Sequence, residues 1–142
     1  TIISSTDAGK AVNPQLVEGQ IEGGVIQGVG YALFEEMKVV NGEFLNASLS
    51  NYIIPTSADS PEIISLIVEI PDPFSPHGVK GVGEPAMIPT APAILNAINN
   101  AIGKRICVIP ATPERILAAT GKIPEKRNEN TITIDMIPYP EP

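Results

Sequence analysis

Between Gln15 and Met37 the chain contains no proline, and Val17, Ile21, Val25, Val29 and Leu33 recur at helical spacing. The same stretch carries Gly19, Gly23, Gly24, Gly28 and Gly30. An internal glycine costs a helix about 0.5–1 kcal/mol relative to alanine, so helix stability alone does not explain this set. What the glycines supply is room for another backbone, or a bulky ligand, to approach the helix closely. Asn13-Pro14 is suited to start the helix, with the asparagine capping and the proline in the first turn. Apolar or small residues occupy most of the circumference, which predicts burial on several sides. Gln20 and Gln27 share one face with Gly23 and Gly24 between them, while Glu22 projects to the opposite face. Two amides over a glycine groove can hold a polar, planar cofactor by hydrogen bonds. They can equally be polar residues at the edge of a buried helix.

Around this helix the chain reads as short elements broken by turns, in keeping with 15 prolines and 12 glycines spread over 142 residues. Thr1 to Thr6 is a β-branched strand candidate ending in an Asp7-Ala8-Gly9 turn. Asn41-Gly42 separates Met37–Val40 from Glu43–Leu45 and predicts a hairpin. Ser50 to Pro55 is expected to be extended. Glu62 to Ile70, between Pro61 and Pro71, is the best strand in the chain. Asp72 to Pro89 reads as one long loop, which a compact domain rarely keeps without a use for it. Pro92 to Ile102 is a helix with Thr90 near its cap and Gly103 at its end. Ile106–Ile109 and Thr131–Ile134 are further strand candidates, and Thr112-Pro113-Glu114 opens a short helix stopped by Gly121. The expected class is α+β: a mixed sheet, one long buried glycine-rich helix and two shorter helices.

Several functions are disfavoured. Net charge is −7 and no Lys/Arg run occurs, so the basic stripe that neutralises nucleic-acid phosphates is missing. The single Cys107 rules out an internal disulfide and any cysteine cluster for zinc or iron–sulfur; it suits a cytoplasmic protein, and its apolar neighbours Ile106, Val108 and Ile109 predict a core position. No charged-then-apolar leader and no run of about twenty apolar residues signals secretion or a membrane span. His77 has no second histidine nearby, so a metal-ligand set is not expected. Ser48, Ser50 and Ser75 lack a His/Asp arrangement for nucleophilic chemistry.

The segment His77-Gly78-Val79-Lys80-Gly81-Val82-Gly83-Glu84-Pro85 is the most informative. Its glycines free the backbone, and Pro85 restrains Glu84 to extended conformations. A carboxylate held between Gly and Pro can act as a general base, with Lys80 contacting an anion or modulating it. A surface turn with solvated Glu and Lys fits the same pattern. The segment lacks the Gly-Lys-Ser/Thr ending of a phosphate loop, and Gly24–Gly30 fails the dinucleotide spacing.

Asp7-Ala8-Gly9 with Asn13-Pro14, GQIEGGVIQGVGYALFEE from Gly19 to Glu36, Asn51-Tyr52, Ile54-Pro55, KGVGEP from Lys80 to Pro85, and ATPERI from Ala111 to Ile116 occur in this order. Together they resemble the C-terminal part of the molybdenum-cofactor subunit of the xanthine dehydrogenase and aldehyde oxidase family. The resemblance covers about residues 5–120 and implies a division into residues 1–121, part of the molybdopterin-binding domain, and an unassigned tail, 122–142. It implies a hydroxylase of aldehydes, purines or other N-heterocycles that uses a molybdenum–pyranopterin cofactor. Glu84 would lie beside the metal as the general base, taking the proton from the oxygen delivered to an electron-poor carbon. Gln20 would contact the cofactor, with Gly81, Val82 and Gly83 completing this part of the cradle. Implied partners are the remainder of the molybdenum-binding subunit, iron–sulfur and flavin domains or subunits, and a small-molecule substrate. With only part of the cradle present, the isolated chain is expected to hold no molybdenum and to be inactive. A non-catalytic assembly or binding module that keeps the fold is the alternative; the retained Glu84 argues against it.

Overall fold

A computed structural model describes residues 1–124, and its axis is helix α1 (Pro14–Leu33). Asn13 caps it as the sequence predicts, its Oδ1 accepting the Leu16 N–H at 3.2 Å. The helix ends at Leu33, the last of the residues at helical spacing, where the N–H groups of Phe34 and Glu35 both close on the carbonyl of Gly30. Strand β1 (Ile2–Asp7) pairs in parallel with the predicted best strand, β4 (Ile63–Val68), placing Ile2 beside Ile63 and Asp7 beside Val68. Between them, β2 (Val39–Val40) and β3 (Glu43–Phe44) form the expected hairpin around Asn41-Gly42, both turn residues having positive φ. Helix α2 (Thr90–Ile102) stops at Gly103, whose left-handed φ of 64° makes it a C-cap, and α3 (Pro113–Ala119) is capped by Thr112.

The α+β class holds, with three α-helices among the described residues, but the sheet is not a single mixed one. β1–β4 and β2–β3 are separate two-stranded sheets, because the hairpin arms are two residues long and pair only with each other. Ile106–Ile109 forms no strand. Its one anchored residue is Ile106, which is buried and donates its N–H to Asn99 Oδ1 at 2.7 Å. Cys107 next to it is exposed, contrary to the expected core position, because this segment has no partner strand to cover its other face. The predicted strand Thr131–Ile134 lies outside the described residues.

The core sits where α1 crosses the inner face of β1–β4. Ile21, Val25 and Ala86 are buried there, with Ile2, Val17, Ile63 and Ile67 packed around them. The period-2 alternation of the strands turns Ser4 and Thr6 inward with Ile63 and Ile67. Burial of α1 follows mainly one stripe, Ile21–Gly24–Val25–Gly28–Val29–Ala32, and reaches the other side only at Gly30, against Glu35 and Pro55; Leu16, Gln20, Gly23 and Gln27 are exposed. The opposite face of the sheet leaves Ile3, Ile64, Leu66 and Val68 in the open.

Candidate functional site

The five glycines of α1 divide into three sets, one of them Gly30 alone, where an added Cβ would run into the Glu35 carboxylate and Pro55. At Gly24 an added Cβ would meet Ala86 Cβ at 3.1 Å, and at Gly28 it would meet Thr90 Cβ at 2.5 Å. These two glycines admit the chain at the start of α2, so the close approach expected from the sequence is made by protein. Gly19 and Gly23 have nothing within 4 Å. They face an open depression of about 510 Å³, shared with Glu22, Ile26 and the Ser60-Pro61 turn. The single glycine groove expected between Gln20 and Gln27 is therefore partly filled, since Gly24 belongs to the packed set. The two amides also part company: Gln27 Nε2 donates to Tyr31 Oη at 3.3 Å, while Gln20 makes no side-chain hydrogen bond among the described residues.

What Gln20 faces is the loop singled out above. A Cβ built on Gly83 would lie 4.0 Å from Gln20 Oε1. Two residues separated by 63 positions, on α1 and on the loop, are thus brought together. Beside them opens a depression of about 440 Å³ lined by Gly81, Gly83, Glu84, Pro85 and Ile88. Glu84 is exposed, and its carboxylate has no partner among the described residues. The N–H groups of Gly81, Val82, Gly83 and Glu84 also donate no hydrogen bond there. The result is a row of backbone donors, one primary amide and one carboxylate, all uncommitted, around a wall without side-chain bulk at Gly83. A polar group of some size can be held by such a set.

Of the two expectations for Lys80, to contact an anion or to modulate Glu84, the structure shows the first, and the anion is Asp7. The Lys80 Nζ lies 2.5 Å from Asp7 Oδ2. Asp7 also accepts the N–H of Gly9 at 2.9 Å, an Asx turn, and that of Ile70 at 3.1 Å. The hydrogen bond from Lys80, followed by that from Gly9, holds the Asp7 carboxyl below its ordinary value of 3.8. The sequence marks Asp7 as a turn residue, and its Asp-x-Gly pattern is the local signal for a side chain folded back on the backbone.

The loop is held at both ends. At its entry Gly9 and Val79 form an antiparallel bridge, with Lys10 N–H to Gly78 O at 2.9 Å and Lys80 N–H to Ala8 O at 3.0 Å. Gly9 has a φ of +64°, and any side chain there would run into the Gly78 carbonyl. At the exit Ala86 is buried against Gly24, and Thr90 Oγ1 donates to its carbonyl at 2.8 Å. Two further contacts tie down the segment after α1. Tyr52 Oη donates to Glu35 at 2.8 Å, and Arg115 bridges Glu36 at 2.5 Å and the Pro110 carbonyl at 2.7 Å. His77 is exposed, and no group of three or more metal-binding side chains occurs among the described residues. No helix among them is long and apolar enough to cross a membrane.

Comparison with known proteins gives the family of the chain. Residues 1–61 match a molybdopterin cofactor-binding domain family. The xanthine dehydrogenase molybdenum-binding subunit of Escherichia coli O157:H7 is 44% identical over 117 residues, covering 81% of this chain and 16% of that subunit. The nicotine 6-hydroxylase large subunit of Paenarthrobacter nicotinovorans is 41% identical over 123 residues, 84% of this chain and 15% of the subunit. The crystal structure of quinoline 2-oxidoreductase from Pseudomonas putida 86 superposes with a TM-score of 0.79 at 38% identity, over 86% of this chain and 16% of that one. The chain thus spans 15–16% of the length of these relatives.

Proposed function

Because this chain belongs to the molybdopterin-binding subunits of the xanthine dehydrogenase and aldehyde oxidoreductase family, we propose that it forms one wall of a molybdenum hydroxylase active site. In that wall Glu84 is the general base, and Gln20 with the Gly81-Val82-Gly83 backbone contacts the cofactor. The observation that carries the reading is the approach of Gln20 Oε1 to Gly83, which with Gly81 and Glu84 lines one opening.

These residues fit a molybdenum–pterin group. A pterin with its phosphate presents acceptors and donors along its edges, and uncommitted N–H groups and a primary amide match them. The missing side chain at Gly83 leaves room for a flat ring system next to Gln20, where a Cβ would narrow the gap. When bound, the cofactor supplies the two-electron oxidation by which an oxygen from water is added to an electron-poor carbon of an aldehyde, purine or N-heterocycle.

The protein's own contribution is a proton acceptor and a fixed frame. Glu84 takes up, at a carboxylate oxygen, the proton released as that oxygen bonds to substrate. With Lys80 committed to Asp7, no described cation pairs with this carboxylate, so it is available to accept. Residues 1–121 serve as part of the cofactor-binding domain in this reading. The exposed face of β1–β4, with Ile3, Ile64, Leu66 and Val68, suits a piece that functions against the remainder of a larger subunit. The isolated chain is accordingly inactive, and iron–sulfur and flavin partners carry the electrons away.

The test is Glu84→Gln in the complete enzyme, with molybdenum measured by elemental mass spectrometry on the same sample. A positioned general base contributes about 10²–10⁴-fold, so turnover per molybdenum should fall by that factor while metal content is kept. Parent turnover at full molybdenum content would show that Glu84 is not the base.

A further inference from the structure

We propose that Asp7 and Lys80 form a clamp that positions Glu84, fixing the entry of its loop from the end of β1. The inference rests on the reading of Glu84 as the base. The Asp7 carboxylate draws together three parts of the chain: its own strand through Gly9, the exit of β4 through Ile70, and the loop through Lys80. It lies next to the Gly9–Val79 bridge, so side-chain and main-chain ties grip the loop at the same place. On the far side the grip is Ala86, seated on Gly24 and bonded by Thr90.

Only Gly81-Val82-Gly83-Glu84-Pro85 spans the interval between these grips. None of its N–H groups is bonded among the described residues, and two of its residues are glycines. Such a span takes its course from its ends: at the exit the Glu84 carbonyl accepts the Met87 N–H at 3.0 Å, which leaves the entry as the end held by Asp7 and Lys80. The entry grip sets where the span starts, and therefore how Glu84 is presented opposite Gln20. Both partners of the ion pair are partly exposed, 35% for Lys80 and 31% for Asp7, and pairs of that kind add little to global stability. Their effect on the placement of a reacting group is another matter, since a shift of about 1 Å can cost about 10²-fold in rate. Asp7 and Lys80 are positioning residues, acting through the loop.

The experiment uses the complete enzyme carrying Lys80→Met, with Lys80→Arg and Asp7→Asn alongside. Asp7→Asn keeps an acceptor for the Gly9 and Ile70 N–H groups but removes the charge, a second route should Lys80→Met not accumulate. Three quantities are read: kcat per bound molybdenum, KM, and hydrogen–deuterium exchange of peptides covering residues 8–10 and 78–80. In Lys80→Met, kcat per molybdenum is expected to fall roughly 10- to 100-fold. KM and metal content should stay near the parent values. Exchange of the bridge peptides accelerates about tenfold or more, and Lys80→Arg restores both readouts. A pair that served stability alone would lower protein yield and molybdenum content together, leaving kcat per molybdenum unchanged; that result overturns the clamp. Unchanged bridge exchange overturns it as well. Glu84→Gln is assayed in parallel, because full turnover there removes Glu84 as the base, and the exchange data then decide by themselves whether Asp7 and Lys80 hold the loop.

Discussion

Gly28→Ala puts a methyl group where α1 and α2 cross. The new Cβ would lie 2.5 Å from Thr90 Cβ, 2.8 Å from its Cγ2 and 3.2 Å from the Met87 carbonyl. Carbon atoms in good contact stand about 3.5–4.0 Å apart, so the crossing must open by roughly 1 Å. Thr90 cannot relieve the clash by rotating, because Cβ moves only with the backbone. Its hydroxyl is also committed to the Ala86 carbonyl. Overpacking costs about 1–3 kcal/mol, and the upper end applies where main chain has to move. Alanine returns about 1 kcal/mol of helix propensity. The balance is a loss of about 2 kcal/mol, which makes local opening of the α1–α2 packing about 30-fold more frequent. Hydrogen exchange of the α1 and α2 amides in the complete subunit reads this directly. Adding Thr90→Gly removes the obstructing Cβ, so the double variant should be less damaged than the sum of the singles by up to about 3 kcal/mol, the clash itself, because the propensity gain is common to both. Exchange at the parent rate in Gly28→Ala would refute the steric account of this glycine, and strict additivity would refute the identity of its neighbour.

Other outcomes follow from the same geometry. Gln20→Ala removes the free amide facing Gly83, and is expected to lower the molybdenum retained after gel filtration while largely preserving turnover per metal bound. The Asp7 carboxyl is held below 3.8 in the folded chain; its stabilising effect is therefore complete above the unfolded value and lost as pH falls through the lower folded one. Exchange of the Lys80 and Lys10 amides should rise beyond the intrinsic trend below about pH 3.8, and Asp7→Asn should abolish that extra rise. Tyr52 is raised above 10.0, first by its hydrogen bond to Glu35. Ultraviolet titration should bring its ionisation back toward the ordinary value in Glu35→Gln.

How far the fold was legible follows from the range of the interactions that made each element. Asn13-Pro14, Asn41-Gly42, Gly103 and Thr112-Pro113 each settle a boundary through atoms within three or four residues, and each boundary lies where the sequence puts it. Ile63–Val68 carries a strand because a β-branched run between prolines has few other options. Longer-range outcomes were hidden. The pairing of β1 with β4 links residues some sixty positions apart, and no local signal says whether β2 and β3 join it or stand alone. The segment 106–109 fails for the same reason: strand propensity was present, but no partner edge came within reach. The contacts of Glu35 with Tyr52 and of Glu36 with Arg115, just after α1, are tertiary as well.

The site shows the same division more sharply. Five glycines on one helix announce close contact, yet they cannot tell contact with protein from contact with a ligand. That distinction depends on Ala86 and Thr90, which reach Gly24 and Gly28 from beyond β4 and leave Gly19 and Gly23 uncovered among the described residues. Gln20 and Gln27 are likewise equivalent in sequence until Tyr31 takes one of them and Gly83 comes to face the other. Lys80 is the most instructive case. Four residues from Glu84, it reads as that carboxylate's natural counter-charge, but it pairs with Asp7, 73 residues away. Chemistry favours this exchange. In the role proposed for Glu84, a lysine there would stabilise its ionised form and occupy the oxygens meant to take up a proton, weakening it as a base. Spent on Asp7, the same charge holds the loop in place and leaves the Glu84 carboxylate open.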